Sequence, residues 1–323
     1  MWLCAPPMPE RVNKIAIVGA GSVGATIAYA AMIRGVAKQI ALYDINRAKV
    51  DAEVLDLNHG LQFMPMATLE GSDDLGVCAG ADVVVITAGA KQKPGQTRME
   101  LAGANVELCR SLVPRLLKVA PDALLLVVTN PVDVLTYVVQ KLSGLPSRRV
   151  FGSGTVLDSS RFRYLIARHL NVAVQNVHAF IAGEHGDSEL PLWSSASVGS
   201  VPLLQWSVPG HSQLTEEDRT HIFDNVRNAA YQIIRGKGAT NYAIGLATTQ
   251  ILEAVLHDEQ RVLPVSSRLE GYLGISDVCM SVPSIVNRTG VETTLEVPLN
   301  DTEREGLKRS ADTIRQAIRT LGF

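Results

Sequence analysis

The chain has no pair of cysteines placed to work together. Its four, Cys4, Cys78, Cys109 and Cys279, lie far apart without a CxxC spacing, which argues against a disulfide framework or a thiolate metal site, so no metal is expected. Neither sign of charge is in excess. Lys and Arg number 30 against 32 Asp and Glu, a formal net charge of −2, so nothing in the balance asks for nucleic acid or an anionic membrane as partner. Apolar runs are short, and none reaches the roughly 18 residues that span a bilayer. The opening Met1–Met8 lacks the positive and apolar regions of a signal peptide and reads as a frayed extension or a mis-assigned start. Repeats, low-complexity tracts and long linkers are missing too. What is there is a chain of 323 residues, 46% hydrophobic and 19% charged. That is enough for a large core shared by two lobes, expected in a reducing cytoplasm.

Strand and helix patterns alternate through the first half. Lys14–Gly19, Gln39–Asp44, Ala81–Ala88 and Ala123–Thr129 are short apolar runs, the last two nearly continuous, as in strands covered on both faces. Ser22–Arg34, rich in alanine, and Asn46–Asn58 read as helices. This alternation predicts an α/β fold whose N-terminal domain, residues 11–150, is a doubly wound parallel sheet. Beyond about Val150 the rhythm changes. Helical stretches over Thr155–Leu170, Thr215–Arg235 and Asp301–Leu321, the last capped at Asn300 or Asp301, mix with hairpin-like segments at Arg261–Glu270 and Val291–Val297. They predict a C-terminal α+β substrate domain over residues 151–323.

Gly19-Ala-Gly21-Ser-Val-Gly24 lies between the first strand and the first helix. In a GxGxxG turn the first glycine allows the tight bend, the second lets a pyrophosphate approach, and the third lets helix pack on strand. The helix N-terminus then offers free N–H groups to the phosphates. Such turns are common, but Asp44 ends the second strand 20 residues beyond Gly24. A carboxylate there accepts from ribose hydroxyls and repels a 2′-phosphate, so the pair reads as a Rossmann site for NAD rather than NADP.

Further along, Gly89-Ala-Lys-Gln-Lys-Pro-Gly-Gln-Thr-Arg98 follows a strand end, where open α/β sheets bind ligands. It suits a loop that closes over substrate and delivers the cation Arg98. On its own it reads equally as a solvated basic loop. Thr129-Asn130-Pro131-Val132-Asp133 offers Asn130, whose amide both donates and accepts, although Asn-Pro is also a common turn. Asp158 and Arg161, three apart, share a helix face. They form either a surface ion pair worth under about 1 kcal/mol, or a working pair. In the working pair Asp158 holds an imidazolium and Arg161 grips a carboxylate with its planar fork. The imidazole is that of His185 in Gly183-Glu-His-Gly-Asp-Ser-Glu189, where flanking glycines permit a sharp bend. A hydride carrier beside a proton carrier is the equipment of a dehydrogenase.

GAGSVG, Asp44, TAGAKQKPGQTR, TNPVD, LDSSRFR and GEHGDSE follow one another along nearly the whole chain, which resembles the L-lactate/L-malate dehydrogenase family. The resemblance implies that His185 is the proton donor and acceptor and Asp158 its partner. It implies that Arg98 polarises the reacting carbonyl, that Arg161 binds the substrate carboxylate, and that Asn130 bonds the substrate oxygen and the cofactor region. It also places Val23, Lys49, Gly89, Ala90, Val128, Asn130 and Ser153 around NAD with Gly19, Gly21, Gly24 and Asp44. Leu75 departs from the family, many members of which carry tyrosine there, with little expected effect on chemistry.

Within the family, Gln92 discriminates. Malate enzymes carry arginine at this position to neutralise a second carboxylate. A neutral Gln92 would leave that charge unpaired in a closed pocket. Thr240 matches the position lining the side-chain pocket, and its size favours a small substituent, hence pyruvate and lactate. Arg163, two residues past Arg161, points away from the substrate. It and His178 read either as solvated surface or, by resemblance to allosteric bacterial members, as a subunit-interface site for fructose 1,6-bisphosphate in a homotetramer. Two rivals stand beside this reading: an enzyme for malate or bulkier 2-hydroxy acids, and a non-catalytic NAD-binding scaffold. Retention of His185, Asp158, Arg161 and Arg98 together opposes the second. Gln92→Arg is expected to raise NADH-dependent reduction of oxaloacetate and lower that of pyruvate. A ratio of the two initial rates that does not move toward the dicarboxylate would refute the assignment of Gln92.

Overall fold

The computed structural model describes residues 12–90 and 98–323, so Gln92 and the side chain of Arg98 lie outside the described residues. The first half runs β1 (Lys14–Val18), α1 (Ser22–Arg34), β2 (Gln39–Tyr43), α2 (Arg47–His59), β3 (Thr68–Ser72), β4 (Val83–Ile86), α3 (Arg98–Val119), β5 (Leu124–Val127), α4 (Val132–Ser143) and β6 (Val150–Gly152). There follow α5 (Val156–Leu170) and five two-residue strands, β7 (Val177–His178), β8 (Ile181–Ala182), β9 (Leu190–Pro191), β10 (Ser197–Val198) and β11 (Val201–Pro202). The chain ends with α6 (Glu216–Lys237), α7 (Tyr242–Leu256), β12 (Arg261–Leu263), β13 (Ser266–Tyr272), β14 (Ile275–Ser281), β15 (Ser284–Asn287), β16 (Gly290–Thr294) and α8 (Asp301–Thr320).

Six strands form a parallel sheet in the order β3-β2-β1-β4-β5-β6. The order reverses between β1 and β4, and the crevice at such a reversal is where these sheets take ligands. Alternate residues of β1 explain why its run is apolar throughout. Ile15 and Ile17 pack with Ile27 and Met32 of α1 and Ile251 of α7. Ala16 and Val18 face the other layer, with Val113 of α3, Leu135 of α4 and Ile314 of α8. A third core lies under α5 and α6, around Phe162, Ile166 and Val226.

The sheet does not stop at β6. Through Ser266, opposite Gly152, β13 pairs antiparallel with β6, and β14 pairs antiparallel with β13. This corrects the expectation of a hairpin over Arg261–Glu270. Pro264 has no N–H for a ladder and splits that stretch. Arg261–Leu263 pairs instead with β15, while the residues from Ser266 onward join the main sheet. Val291–Val297 lies partly in a hairpin, formed by β15 and β16. The long C-terminal helices begin at capping boxes, Thr215 with Asp218 and Asn300 with Glu303, so Asn300 is the cap of α8. Among the described residues no helix is long and apolar enough to cross a membrane.

Candidate active site

A cleft of about 630 Å³ opens at the reversal point, lined by Gly19, Gly21, Asp44, Lys49, Gly89 and Ala90. Each glycine of the turn is required for a different reason. Gly19 has φ +113°, and a Cβ there would lie 2.8 Å from the backbone N of Ala88. A Cβ on Gly24 would lie 1.9 Å from the carbonyl oxygen of Gly19. Gly21 is different, because a Cβ would meet nothing nearer than the Nζ of Lys49 at 4.0 Å and would stand in the cleft. The space kept open there fits a pyrophosphate against the N-terminus of α1, with the Lys49 ammonium beside it.

Asp44 accepts the N–H of Ala20 at 2.8 Å and that of Asn46 at 3.0 Å, one on each carboxylate oxygen. These bonds fix the carboxylate and leave a lone pair on each oxygen for ribose hydroxyls. Val23 is half-buried at the start of α1. Val128 and Ser153 are buried beyond β5 and β6. The far wall comes from α3, through Leu108, Ser111, Leu112 and Arg115. Sequence reading missed this wall because it identified no helix there.

Asp158 and His185 stand beyond the carboxyl ends of β5 and β6. Asp158 lies in the first turn of α5 and is 2% exposed. Its Oδ2 lies 2.6 Å from Nδ1 of His185, and its Oδ1 accepts from Nη1 of Arg161, also at 2.6 Å. The alternative of an exposed ion pair for Asp158 and Arg161 therefore fails, since the carboxylate is inside. Arg161 spends one donor on Asp158 and keeps the rest of its fork.

Three consecutive backbone groups hold His185 in place. Gly183, at φ +95°, exchanges two hydrogen bonds with Ser281 of β14. Glu184 donates its N–H to Ser310 of α8, and His185 donates its own to Asp133 of α4. The facing helix is tied down as well. Thr155 donates its hydroxyl to the carbonyl of Ile181, and Ile181 donates its N–H to Ser159.

Burial alone would lower the pKa of His185, but Asp158, by charge and hydrogen bond, overrides it and holds the imidazole up at about 9. Burial would likewise raise Asp158, yet the His185 and Arg161 cations outweigh it and keep the carboxyl below its usual range. Glu189, not singled out from the sequence, is buried beside them, and burial with the Asp158 charge pushes it up to about 8. Ligand atoms of Asp158, His185 and Glu189 lie within 4.8 Å of one another. Both oxygens of Asp158 are already engaged, one by a guanidinium, which leaves that carboxylate poorly placed to ligate a cation.

A polar path runs from the cleft to the carboxyl end of β5. Ala90 donates its N–H to Oδ1 of Asn105 at 2.7 Å, and Asn105 donates to the backbone carbonyl of Asn130 at 2.9 Å. Asn130 Oδ1 takes the N–H of Val132, which leaves the amide nitrogen as its outward donor among the described residues. Asn105, 2% exposed, was also missed, since a lone asparagine on a helix carries no signal until its partners are known.

Thr240 is half-buried in the loop between α6 and α7 and makes none of the bonds that join the dyad. Arg163 turns the other way from Arg161. It donates to the carbonyl of Ala179 at 2.8 Å and lies over the Phe180 ring, next to the exposed His178 of β7.

Two family models match the chain: the lactate/malate dehydrogenase NAD binding domain over residues 13–152, and the lactate/malate dehydrogenase alpha/beta C-terminal domain over residues 155–321. The chain is 56% identical over 316 residues to an L-lactate dehydrogenase of Bifidobacterium animalis subsp. lactis, covering 98% of this chain and 99% of the relative. It is 49% identical over 311 residues to an L-lactate dehydrogenase of Acetivibrio thermocellus, covering 96% and 98%. Among solved structures, a lactate dehydrogenase from a Medee basin deep-sea metagenome library superposes with a TM-score of 0.93 at 40% identity, covering 97% of this chain and all of that one. The minor L-lactate dehydrogenase of Enterococcus mundtii, in a ligand-bound form, gives 0.92 at 42%, covering 95% and 98%.

The glycine turn yields a paired test. Gly21→Val should leave the thermal midpoint near that of the parent and weaken dinucleotide binding at least tenfold by fluorescence titration, because its side chain fills only the cleft. Gly24→Val should lower the midpoint, by about 1–3 kcal/mol of stability or more, since it drives a side chain into the backbone. The same behaviour in both variants would contradict the division of roles.

Proposed function

The chain belongs to the lactate/malate dehydrogenase family, and from that premise we propose that it is an NAD-dependent L-lactate dehydrogenase, interconverting pyruvate and (S)-lactate with His185 as proton donor and acceptor. The observation that carries this reading is the buried carboxylate of Asp158, bonded to His185 on one oxygen and to Arg161 on the other. NAD fits the cleft: Gly21 leaves room for a pyrophosphate, Asp44 meets a ribose, Lys49, Gly89 and Ala90 line the surround, and Val23, Val128 and Ser153 join them by resemblance to the family. When bound as NADH, it supplies the hydride.

The residues of the chain do the rest. Arg161 takes the substrate carboxylate on its remaining fork and sets the orientation of the 2-oxo carbon. Asn130 directs its amide nitrogen to the carbonyl oxygen. His185, protonated at neutral pH, gives its Nε2 proton to the oxygen as charge develops there, and Asp158 stabilises the imidazole in either state. Arg98 adds a second cation to that oxygen, while Gln92 and Thr240 admit a methyl group and refuse a second carboxylate. Residues 11–150 serve as the NAD domain and 151–323 as the substrate domain, in a cytoplasmic enzyme. Arg163 and His178 form a phosphate-binding site at a subunit interface of a homotetramer, where fructose 1,6-bisphosphate relieves repulsion between like charges and favours the active state. The guanidinium of Arg163, held beside the strand that bears His178, supports this. Steady-state NADH oxidation with pyruvate against oxaloacetate and branched 2-oxo acids tests the assignment, and a preference for any acid other than pyruvate overturns it.

With His185 held at about 9, kcat/KM for pyruvate reduction should be level below that pH and fall as pH rises through it. Lactate oxidation, which needs neutral imidazole, should climb over the same range. His185→Asn should lose about 100-fold or more of turnover and still bind NADH. Near-normal turnover in that variant would remove His185 from the mechanism.

Pyruvate saturation curves recorded with and without fructose 1,6-bisphosphate should differ most at low enzyme concentration, and the difference should vanish in Arg163→Gln. Superimposable parent curves across a range of pH would eliminate the regulatory site and leave the catalytic assignment intact.

A further inference from the structure

Asp133 carries a charge that neither the dinucleotide cleft nor a substrate carboxylate requires. It lies in the first turn of α4 and is 2% exposed. One carboxylate oxygen accepts the backbone N–H of His185 at 2.7 Å, and the other accepts the hydroxyl of Ser266 at 2.6 Å. Ser266 is fully buried and is the residue through which β13 meets β6. An asparagine could serve both partners, its oxygen taking the His185 N–H and its nitrogen donating to the hydroxyl, without an ion in the interior. The charge therefore acts on something nearby, and the His185 imidazole is a titrating group that feels it.

We propose that Asp133 is a positioning residue for the acid–base step: it fixes the main chain of His185 while Asp158 fixes the ring, and its negative charge helps the imidazole keep its proton. The proposal deepens the role given to His185 above and rests on it. Asp133 adds to what the other groups around the imidazole supply. Asp158, with Arg161 on its other oxygen, faces it from α5 and is the stronger support for the proton. On its own segment, Glu184 turns its carboxylate onto the Ser188 hydroxyl at 2.5 Å. Glu189, raised to about 8 and faced by Arg227 of α6, is largely neutral at pH 7. Cys279 of β14 faces Asp133, and burial keeps its thiol neutral. Asp133 itself, raised to about 6 by burial against the pull of its two hydrogen bonds, is mostly ionised at pH 7.

The test is Asp133→Asn, which preserves both hydrogen bonds and deletes the charge. The Cε1–H signal of His185, assigned by its absence in His185→Asn, is titrated by proton NMR without substrate, and the pH dependence of kcat/KM for pyruvate reduction is measured in parallel. The midpoint should fall by about one pH unit, the scale of one lost neighbouring charge, and the alkaline limb of the rate profile should fall with it. Asp133→Ser, neutral and smaller, is the second variant and should lower the midpoint in the same direction. It should also reduce kcat more than it changes KM, because the main chain of His185 loses its anchor. An unchanged midpoint in a folded neutral variant, alongside normal pyruvate reduction by the parent, would overturn the role of Asp133. A parent enzyme inactive on pyruvate would overturn the functional reading instead, whatever the NMR midpoint does.

Discussion

The buried carboxylate of Asp158 is the constraint to which the C-terminal half of the molecule answers. A carboxylate inside a protein that loses its partner costs about 3–5 kcal/mol, so both of its oxygens need a permanent cation or donor. Arg161 comes with the same helix, one turn along, and needs only the helix to form. His185 comes from a segment 27 residues away, and its ring meets Asp158 only if that segment is held to ångström tolerance. This accounts for the concentration of buried hydroxyls around it. Thr155, Ser159, Ser281 and Ser310 each spend a hydroxyl or an N–H on joining α5, β8, β14 and α8 to one another. The N-terminal end of α5 adds its own favourable dipole to the Asp158 charge.

The parallel sheet brings the two chemistries together. Because its strands run the same way, the turns after β1, β4, β5 and β6 all open on one edge, those after β1 and β4 lining the cleft and those after β5 and β6 leading to Asp133 and Asp158. Asn105 makes the connection more than a matter of proximity. It is hydrogen-bonded to Ala90 at the cleft and to the backbone of Asn130 at the end of β5, so the lip of the cleft is tied to the strand-end asparagine.

Much of this could be read from the sequence, and the limits have physical causes. The glycine turn, Asp44 and the His185 segment were legible because a positive φ, a forbidden Cβ and a charge at a strand end leave local marks. α1 was placed to the residue for the same reason, with Gly21 before it and Gly35 after it. α4 was not seen. It is buried from Val132 through Gln140, so even the polar residues at helical spacing, Asp133, Thr136 and Gln140, face the interior and mark no solvent side. α7 hides in the same way, buried from Ala247 through Leu256 except at Gln250. The misread stretch at Arg261–Glu270 did carry a warning in Pro264. Asp133 stood inside a recognised motif, yet its partners are His185 and Ser266, 52 and 133 residues away, and local spacing cannot show that.

The junction of β13 with β6 has a consequence for how the chain is made. Until residues of β13 emerge from the ribosome, the first 152 residues present a parallel sheet with β6 as a bare edge, its backbone groups open to any strand that passes. The segment that covers it lies more than a hundred residues downstream, so the N-terminal half must wait with that edge exposed while that stretch is made. β6 is only three residues long, which keeps the unprotected ladder short. Brevity there guards the nascent chain against aggregation as much as it shapes the finished fold.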